Sequence, residues 1–340
     1  MKILLWKIGA LGDILMTTPL VRQLRRTLPG ASIDYLTGRR CAAMLAGNPH
    51  IDRVQGFDET ILYSGQVRRL PEVVSLLRGY DCVFTLDKHW IFSLLARVAG
   101  VPMRIGFDRR AHEGLLLTRK VAYAGVRHEI DYYLDLLQAA GWPVVRDDVA
   151  LESPAESAFD CDPEAMALIN SGGDNANESS QVRRMPDGLF GSLVEECATR
   201  RPVMFVGSPA EAGYYERFAG PGRVNLCGRT TLAQATAVLR QAAGVITTDT
   251  GLMHLAGAVN PRVTAVFGPT HPLRKCPPGA RWAWADEERY DPRYELFGAV
   301  PSRGGYFASL NVEDILDRPR ASPFAERRKT PPASGIVLSP

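Results

Sequence analysis

The sequence lacks most of the features that set special classes of protein apart. It has no run of about 18 uncharged apolar residues, so no transmembrane helix is predicted. The apolar start, residues 1–6, is interrupted by Lys7 and has no small-residue cleavage site, which argues against a secretory signal and predicts a cytoplasmic protein. The six cysteines form no C-x-x-C pair and no Cys/His cluster, which indicates buried, reduced thiols and no zinc site.

The sequence also lacks a large excess of positive or negative charge. Lys and Arg number 40 and Asp and Glu 37, which gives a formal net charge of +3. This balance excludes a protein that depends on nonspecific binding to nucleic acid, and no nucleic-acid partner is expected. Hydrophobic residues make up 46% and charged residues 23%, as in soluble globular proteins, which excludes global disorder.

The chain alternates between strand-like and helix-like patterns. Buried strands are predicted at 2–8, 32–36, 82–86, 165–170, 203–207, 244–248 and 263–267, and helices at 17–28, 67–78, 92–99, 132–140, 189–199, 232–243 and 254–258. This alternation is typical of α/β proteins with parallel sheets.

The pattern divides the 340 residues in two. It fades into Pro, Ser and acidic residues at 147–162, so we predict an N-terminal Rossmann-like domain at 1–155 and a C-terminal one at 160–317, facing a central cleft. Residues 171–184 are polar without apolar anchors, and residues 318–340 are rich in proline and charge. Both segments are predicted to be disordered.

The first candidate site follows the first strand, in the stretch KIGALGD at 7–13. Gly9 and Gly12 would let backbone N–H groups approach a ligand closely. Their G-x-x-G spacing is not the G-x-G-x-x-G dinucleotide fingerprint, which argues against an NAD dehydrogenase. Asp13 is either a helix cap or first-turn acid, which the local sequence favours, or a general base in the cleft.

The second candidate site is TTDTGLMH at 247–254, where a strand again ends before a helix. Free N–H groups and the positive end of the helix dipole make such a helix start a seat for phosphate. Asp249 or Thr250 could cap this helix. His254 lies further inside, where it is either a structural hydrogen-bonding residue or a group that faces the cleft.

Two stretches resemble the signature regions of glycosyltransferase family 9, the heptosyltransferases that build the inner core of bacterial lipopolysaccharide. They are KIGALGDILMTTPLVRQLRRTLPGASIDYL near the start and TDTGLMHLAGAVNPRVTAVFGPTHP near the end. Weaker matches lie between them, and the resemblance covers roughly residues 1–317. It implies a two-domain GT-B fold and inverting transfer from ADP-heptose that needs neither metal nor cofactor.

The resemblance also implies roles for individual residues. Asp13 would be the catalytic base, which favours the base over the cap. Asp249 would reach the heptose hydroxyls, and the helix N–H groups would hold pyrophosphate. The residues assigned to the donor in this way are Arg183, Ser179, Ser180, Glu211, Thr230, Asp249, Thr250, Gly251 and His254. Gly9 and Gly12 would lie near both donor and acceptor.

Some donor positions depart from the family pattern. Arg183 falls on the lysine of a K-x-W-P segment, and Met185 replaces its tryptophan. In the loop before it, Ser179 and Ser180 could donate to a diphosphate, whereas Glu178 would repel one. Glu211 matches a ribose-binding glutamate, and Thr230 matches a position whose backbone meets adenine.

An acceptor would bind to the N-terminal half. Residues 64–120 carry ten Lys and Arg against five acids, a local balance of +5. The lipopolysaccharide core is anionic, so a basic face there would suit it, although a plain solvated face gives the same pattern. The acceptor candidates are Lys88, His89, Trp90, Arg109 and Arg110.

The leading hypothesis is therefore a heptosyltransferase-like enzyme acting on an anionic glycan or glycolipid, cytoplasmic or peripheral to the inner membrane. An enzyme of the same family with another acceptor, such as a natural product or a protein, or with another nucleotide sugar is an alternative. A non-catalytic nucleotide-sugar binder and a sugar-nucleotide epimerase of similar fold are two more. The acids and bases that an epimerase requires are not identifiable in the sequence.

Overall fold

Two parallel sheets organise the chain in the computed structural model, which describes residues 1–110, 112–172, 182–285, 287–298, 304–322 and 324–325. The first sheet contains β1 (Lys2–Trp6), β2 (Ser32–Gly38), β3 (Arg53–Phe57), β4 (Cys82–Thr85), β5 (Met103–Asp108) and β6 (Arg119–Ala122). The second contains β7 (Met166–Ile169), β8 (Val203–Phe205), β9 (Arg223–Asn225), β10 (Gly244–Thr248), β11 (Val263–Val266) and β12 (Arg281–Ala283).

Helices connect these strands. They are α1 (Leu11–Met16), α2 (Thr18–Thr27), α3 (Thr60–Tyr63), α4 (Leu70–Leu77), α5 (Trp90–Val98), α6 (Glu129–Ala139), α7 (Asp187–Arg200), α8 (Ala212–Tyr215), α9 (Leu232–Gln241), α10 (Gly251–Val259), α11 (Pro272–Lys275), α12 (Pro292–Phe297) and α13 (Val312–Leu316). None of the helices in the described ranges has the length and apolar character needed to span a membrane.

The two sheets share one topology. The first has the order β3-β2-β1-β4-β5-β6 and the second the order β12-β11-β10-β7-β8-β9, and every pair is parallel. Counted within each half, both are the Rossmann order 3-2-1-4-5-6. In the first sheet the strand order reverses between β1 and β4, because the later strands are added on the other side of β1. In the second sheet it reverses between β7 and β10. Ligands of such sheets bind at these switch points, outside the carboxyl ends of the strands.

The central strand and the helix beside it follow directly from their residues. The last four residues of β1 are buried because helices cover both faces of a parallel sheet. In α2, Leu20, Val21 and Leu24 share one face and are fully buried, and Pro19 in the first turn fits a helix start. These elements hold the first candidate site at the end of β1.

The two halves meet where α1 packs against α10. One continuous cluster of buried apolar side chains includes Leu15 and Met16 from the first half and Met253 and Leu255 from the second. The two candidate motifs of the sequence therefore lie side by side. The predicted boundaries at 155 and 160 fall in an irregular stretch between α6 and β7, and they stay a prediction.

Two details of the secondary structure differ from the sequence-based expectations. The residues after Ala10 are already helical, so Gly12 and Asp13 lie in α1 rather than in a loop. The strands β3, β5, β6, β9 and β12 were not expected. Four of them lie toward the sheet edges with polar or half-exposed residues, which do not give a buried apolar run.

The predicted disorder is wrong at the start of the C-terminal tail. Arg320 exchanges two backbone hydrogen bonds with Trp282 of the edge strand β12. Phe324 is buried and its ring lies 4.6 Å from that of His128. A single aromatic residue has enough apolar surface to fix this short stretch. Residues 326–340, and 173–181 of the other segment predicted to be disordered, lie outside the described residues.

Candidate active site

Asp13 projects from the first turn of α1 between cations of both halves. Its Oδ1 lies 3.1 Å from Nζ of Lys275, and its Oδ2 lies 3.7 Å from Nζ of Lys7. Ala10 occupies the N-cap position, so Asp13 is not the cap, whereas its place in the first turn of α1 agrees with the alternative of a first-turn acid. Its carboxylate, 27% exposed, is held by ion pairs.

These cations determine the charge of Asp13. Burial raises the pKa of its carboxyl, but the nearby ammonium groups of Lys275, Lys7 and Lys88 together hold the pKa well below its usual range. Asp13 is therefore ionised at neutral pH, the form that a general base requires.

Lys7 fastens the connection between β1 and α1. Its Nζ donates to the carbonyl of Gly9 at 2.6 Å and to the carboxylate of Asp87. Asp87 follows β4 and also accepts a hydrogen bond from the amide of Ile8 at 2.8 Å. The ion pair between Lys7 and Asp87 thus joins the ends of β1 and β4 at the first switch point, and these hydrogen bonds fix the backbone before Asp13.

The second switch point holds Asp249 and Arg183. Arg183 Nη1 donates to Oδ2 of Asp249 at 2.9 Å, and its Nε donates to the hydroxyl of Tyr294 at 3.3 Å. Beside them, the amide of Ser171 donates to Thr248 Oγ1 at 2.9 Å, which joins the carboxyl ends of β7 and β10. The structure therefore brings the predicted Arg183 and Asp249 together.

Two buried polar side chains at the start of α10 make no hydrogen bond that satisfies them. Thr250 occupies the N-cap position, yet its side chain makes no capping hydrogen bond. Within the described part of the chain, Thr250 Oγ1 and His254 Nδ1 are buried without a hydrogen-bond partner. Buried polar atoms of this kind carry a free-energy cost that a bound ligand relieves. Burial lowers the pKa of His254 to about 4, so its ring is neutral at physiological pH.

Other predicted donor positions line the same sheet edge. Glu211 follows β8 and accepts hydrogen bonds from the amide and the hydroxyl of Ser208, both at 2.8 Å. Thr230 precedes α9, whose N-cap is Thr231. Ser179 and Ser180 lie outside the described residues.

The predicted acceptor-binding role of the basic residues stays a prediction, and two of them are paired with carboxylates inside the protein. Lys88 lies inside the cleft, donates to Glu129 Oε2 at 2.9 Å and stands 4.1 Å from the ring centre of Tyr123. Arg109 pairs with Glu113 at 2.7 Å and donates to the carbonyl of Leu296 in the second half.

Of the remaining acceptor candidates, one caps a helix, and all three are at the surface. His89 caps α5 by accepting from the amide of Ile91 at 3.3 Å. Trp90 is 42% exposed, and Arg110 stands 4.9 Å from the ring centre of Phe297. His89, Trp90 and Arg110 are exposed to solvent, whereas Lys88 and Arg109 are half-buried.

Sequence reasoning missed a buried charge cluster at this joint. Glu129 at the start of α6 accepts from Arg274 Nη2 at 2.9 Å, from Lys88 and from the hydroxyl of Tyr123. Lys275 is 3.8 Å from the same carboxylate. The available signals were the Lys that ends the apolar run of β1 and the Arg-Lys pair after GPTHP. No group of three or more His, Cys, Asp or Glu side chains suited to a metal occurs within the described ranges.

Two Rossmann-like sheets, with an ionised carboxylate and a helix start that suits an anion at their facing switch points, have the architecture of the GT-B fold. The sequence model of glycosyltransferase family 9 (heptosyltransferase) matches residues 73–289. The chain belongs to this family.

Individual proteins agree with this assignment. Lipopolysaccharide heptosyltransferase 2 of Escherichia coli K12 is 25% identical over 298 residues, which cover 80% of this chain and 84% of that protein. Lipopolysaccharide heptosyltransferase 1 of Pseudomonas aeruginosa is 27% identical over 289 residues, covering 80% of each. The solved structure of ADP-heptose lipopolysaccharide heptosyltransferase II from E. coli superimposes with a TM-score of 0.67 at 22% identity, covering 89% of this chain and 96% of that one.

Proposed function

We propose that this enzyme moves heptose from ADP-heptose to a hydroxyl group of an anionic lipopolysaccharide inner-core acceptor, with inversion and without a metal. The observation that carries the proposal is the ionised carboxylate of Asp13 beside the start of α10, where the two switch points meet. The names of the similar proteins support the donor and the acceptor class. Peripheral association with a membrane surface is part of the same proposal.

Asp13 acts as the general base. It takes the proton of the acceptor hydroxyl while that oxygen forms a bond to the anomeric carbon. The bond from this carbon to the pyrophosphate oxygen breaks, and its electron pair leaves with ADP. One displacement from the opposite face inverts the anomeric centre, so a single carboxylate is sufficient.

The second half binds the donor. The N–H groups at the start of α10, including that of Gly251, stabilise the charge that develops on the diphosphate. Thr250 Oγ1 and His254 Nδ1 donate to or accept from the donor, which satisfies their buried hydrogen-bonding capacity. Arg183 turns from Asp249 toward the diphosphate, and Asp249 is then free to bind the sugar hydroxyls.

The outer part of the donor site completes this arrangement. Glu211 binds the ribose, and the backbone at Thr230 meets the adenine ring. Ser179 and Ser180 donate to the diphosphate. Each of these assignments follows the family pattern, and the place of Glu211 at the end of β8 supports its own.

A second candidate keeps the chemistry and changes the acceptor to a less anionic one. Lys88 and Arg109 form ion pairs with Glu129 and Glu113 inside the protein. The positive face expected for an anionic acceptor is therefore reduced. This observation favours an uncharged glycan, natural product or protein hydroxyl as the acceptor.

Thermal shift with ADP, ADP-heptose, UDP-glucose, GDP-mannose and NAD tests the donor. A ligand at about 100 times its Kd adds about 2.7 kcal/mol to stability, so ADP and ADP-heptose should raise Tm and the other three should not. Asp13→Asn should then lower heptose transfer by about 10²–10⁴-fold and leave the ADP response unchanged. Stabilisation by a different nucleotide sugar would overturn the donor assignment.

The acceptor is tested separately with the wild-type enzyme and ADP-heptose. Transfer to a deacylated inner-core oligosaccharide carrying its carboxylates and phosphates supports the leading candidate. Transfer only to the same oligosaccharide with those groups removed or reduced supports the second one.

A further inference from the structure

The carboxylate proposed as the base receives its shorter ion pair from the other half of the molecule. Lys275 is the last residue of α11, and 262 positions separate it from Asp13. Its Nζ lies 3.1 Å from Oδ1 of Asp13, whereas Lys7 stands 3.7 Å from Oδ2. The side chains of Lys275 and Asp13 are 17% and 27% exposed, so this ion pair is partly shielded from water.

Both neighbours of Lys275 are fastened to the first half. Arg274 is fully buried and donates to the carbonyl of Gly125 at 2.7 Å, to the hydroxyl of Tyr123 at 2.5 Å and to Glu129 at 2.9 Å. On the other side, the carbonyl of Cys276 accepts from Nε2 of His128 at 2.9 Å. The backbone of Lys275 is thus held over α1 from both directions, which preorganises its ammonium group beside Asp13.

We propose that Lys275 is a positioning residue for Asp13, supplied by the nucleotide-binding half when the two halves are together. This inference rests on the proposed function, in which Asp13 is the base. The ammonium group holds Oδ1, and Oδ2, with its longer ion pair to Lys7, is left to take the acceptor proton. Lys275 itself neither gives nor takes a proton.

The charges balance through the transfer step. The acceptor oxygen gains the anomeric carbon and loses its proton to Oδ2, and the electron pair of the broken bond leaves with ADP. Asp13 becomes neutral, so Lys275 loses its main partner. Glu129 Oε1, 3.8 Å from Nζ, remains as its counter-ion. The positive charge is therefore compensated on both sides of the step.

Other groups around Asp13 also act on its charge. Those that face it from the surrounding elements are Lys7, Cys41, Lys88, Tyr123, Glu129, Tyr133, His254 and Lys275, with Asp87 behind Lys7. Lys7 and Lys88 have carboxylate partners of their own, Asp87 and Glu129. Removing Lys275 therefore removes the cation whose shortest ion pair is to Asp13 itself.

The test compares Lys275→Met and Lys275→Arg with the wild type. Lys2→Met is the matched control, because Lys2 is exposed at the opposite end of β1. Two quantities are measured, the pH dependence of kcat/KM for heptose transfer and the Kd for ADP. In Lys275→Met we expect the acid limb of kcat/KM to move up by about one to three pH units and kcat to fall on the order of 10²-fold.

The ADP measurement separates positioning from donor binding. Unchanged ADP affinity in Lys275→Met, with recovery of the acid limb in Lys275→Arg, supports the proposal. Weakened ADP affinity with an unmoved acid limb would mean that Lys275 binds the diphosphate instead, and the proposal would be wrong. Lys2→Met should match the wild type in both quantities.

A third measurement keeps this inference separate from the proposed function. The carboxyl carbon of Asp13 is titrated by NMR in ¹³C-aspartate-labelled, ligand-free protein, and its resonance is identified by its absence in Asp13→Asn. If the wild type transfers no heptose, the proposed function fails, whereas a titration that moves up in Lys275→Met still supports the pairing. A titration identical in wild type and Lys275→Met overturns the inference even where transfer is robust.

Discussion

Gly12 of α1 and His254 of α10 touch across the joint between the two halves. A Cβ added to Gly12 would stand 2.3 Å from Cδ2 of His254, closer than side-chain atoms pack. On the neighbouring turn, a Cβ on Gly251 would stand 2.9 Å from Cβ of Leu11. The two signature motifs therefore approach each other through glycines, and that approach brings Asp13 to the second half of the chain.

Gly12→Ala should separate α1 from α10. The added methyl group forces the ring of His254 or the helix to move, and overpacking of this kind costs about 1–3 kcal/mol. We expect a lower free energy of unfolding in urea and a loss of heptose transfer. Gly188→Ala is the matched control, because no atom lies within 4 Å of its added Cβ. Equal stability of the two variants would show that the contact with His254 is not restrictive.

Arg183→Ala should weaken ADP binding by roughly 10- to 100-fold, since a hydrogen bond to a charged group contributes about 1.5–3 kcal/mol. Arg183→Lys keeps the charge but not the planar fork, so its Kd should fall between the two. Isothermal titration with ADP measures both. Arg200→Ala removes an exposed ion pair with Glu196 and should bind ADP as the wild type does. Full ADP affinity in Arg183→Ala would exclude Arg183 from the diphosphate site.

Arg274→Met should destabilise the enzyme by about 3–5 kcal/mol, because it removes the fully buried cation from the cluster around Glu129 and leaves Lys88 as that carboxylate's shortest ion pair. Adding Glu129→Gln in the same chain should restore part of the loss. Urea unfolding of the two single variants and the double variant gives the coupling between them. Arg240→Met, which removes an exposed ion pair with Glu156, should cost about 0–1 kcal/mol. Additive effects at Arg274 and Glu129 would show that the pair does not act as a unit.

Acid should destabilise the enzyme through His128. This ring is fully buried, accepts from the amide of Ile130 and donates to the carbonyl of Cys276, and burial lowers its pKa to about 3. The unfolded chain takes up the proton first, below about pH 6.5. The stability from the neutral ring is therefore complete above that pH and falls as the pH drops toward 3, by up to about 1.4 kcal/mol per pH unit.

His128→Asn removes this proton uptake and should flatten the dependence of unfolding free energy on pH between 6.5 and 4. Burial also lowers the pKa values of His254 and His271 to about 4, so part of the slope should remain. Urea titrations at pH 7, 6, 5 and 4 measure the slope. An identical slope in wild type and variant would mean that folding does not lower the pKa of His128.

The sequence predicted the central strands well and the outer ones poorly. The runs that became β1, β4, β7, β10 and β11 are apolar because both faces of a parallel sheet are covered. At the edges, β6 and β9 carry charged and half-exposed residues such as Lys120 and Arg223. Their strand character comes from pairing with a neighbour, which no local pattern records.

The candidate site divides in the same way. Asp13, Asp249 and His254 lie in contiguous motifs that follow buried strands, and a local pattern is enough to find them. Lys275 and Glu129 come near Asp13 only when α11 and α6 pack beside α1, so no local pattern identifies them. The charge count over 64–120 could not separate Arg109, which bridges the halves, from Arg110 at the surface. Which charged side chains remain accessible to a ligand depends on the ion pairs that they form in the folded protein.

The repeated strand order of the two sheets makes the enzyme divisible. Each half contains a sheet of complete Rossmann order, so halves from different relatives could be exchanged, provided that the polar contacts across the joint are kept. A chimera would have to inherit Gly12 with His254, Asp13 with Lys275, and Glu129 with Arg274 as matched sets. Under the proposed function, in which the first half binds the acceptor, changes in the loops beyond β3 to β6 would then alter the acceptor preference and leave the chemistry at the joint as it is.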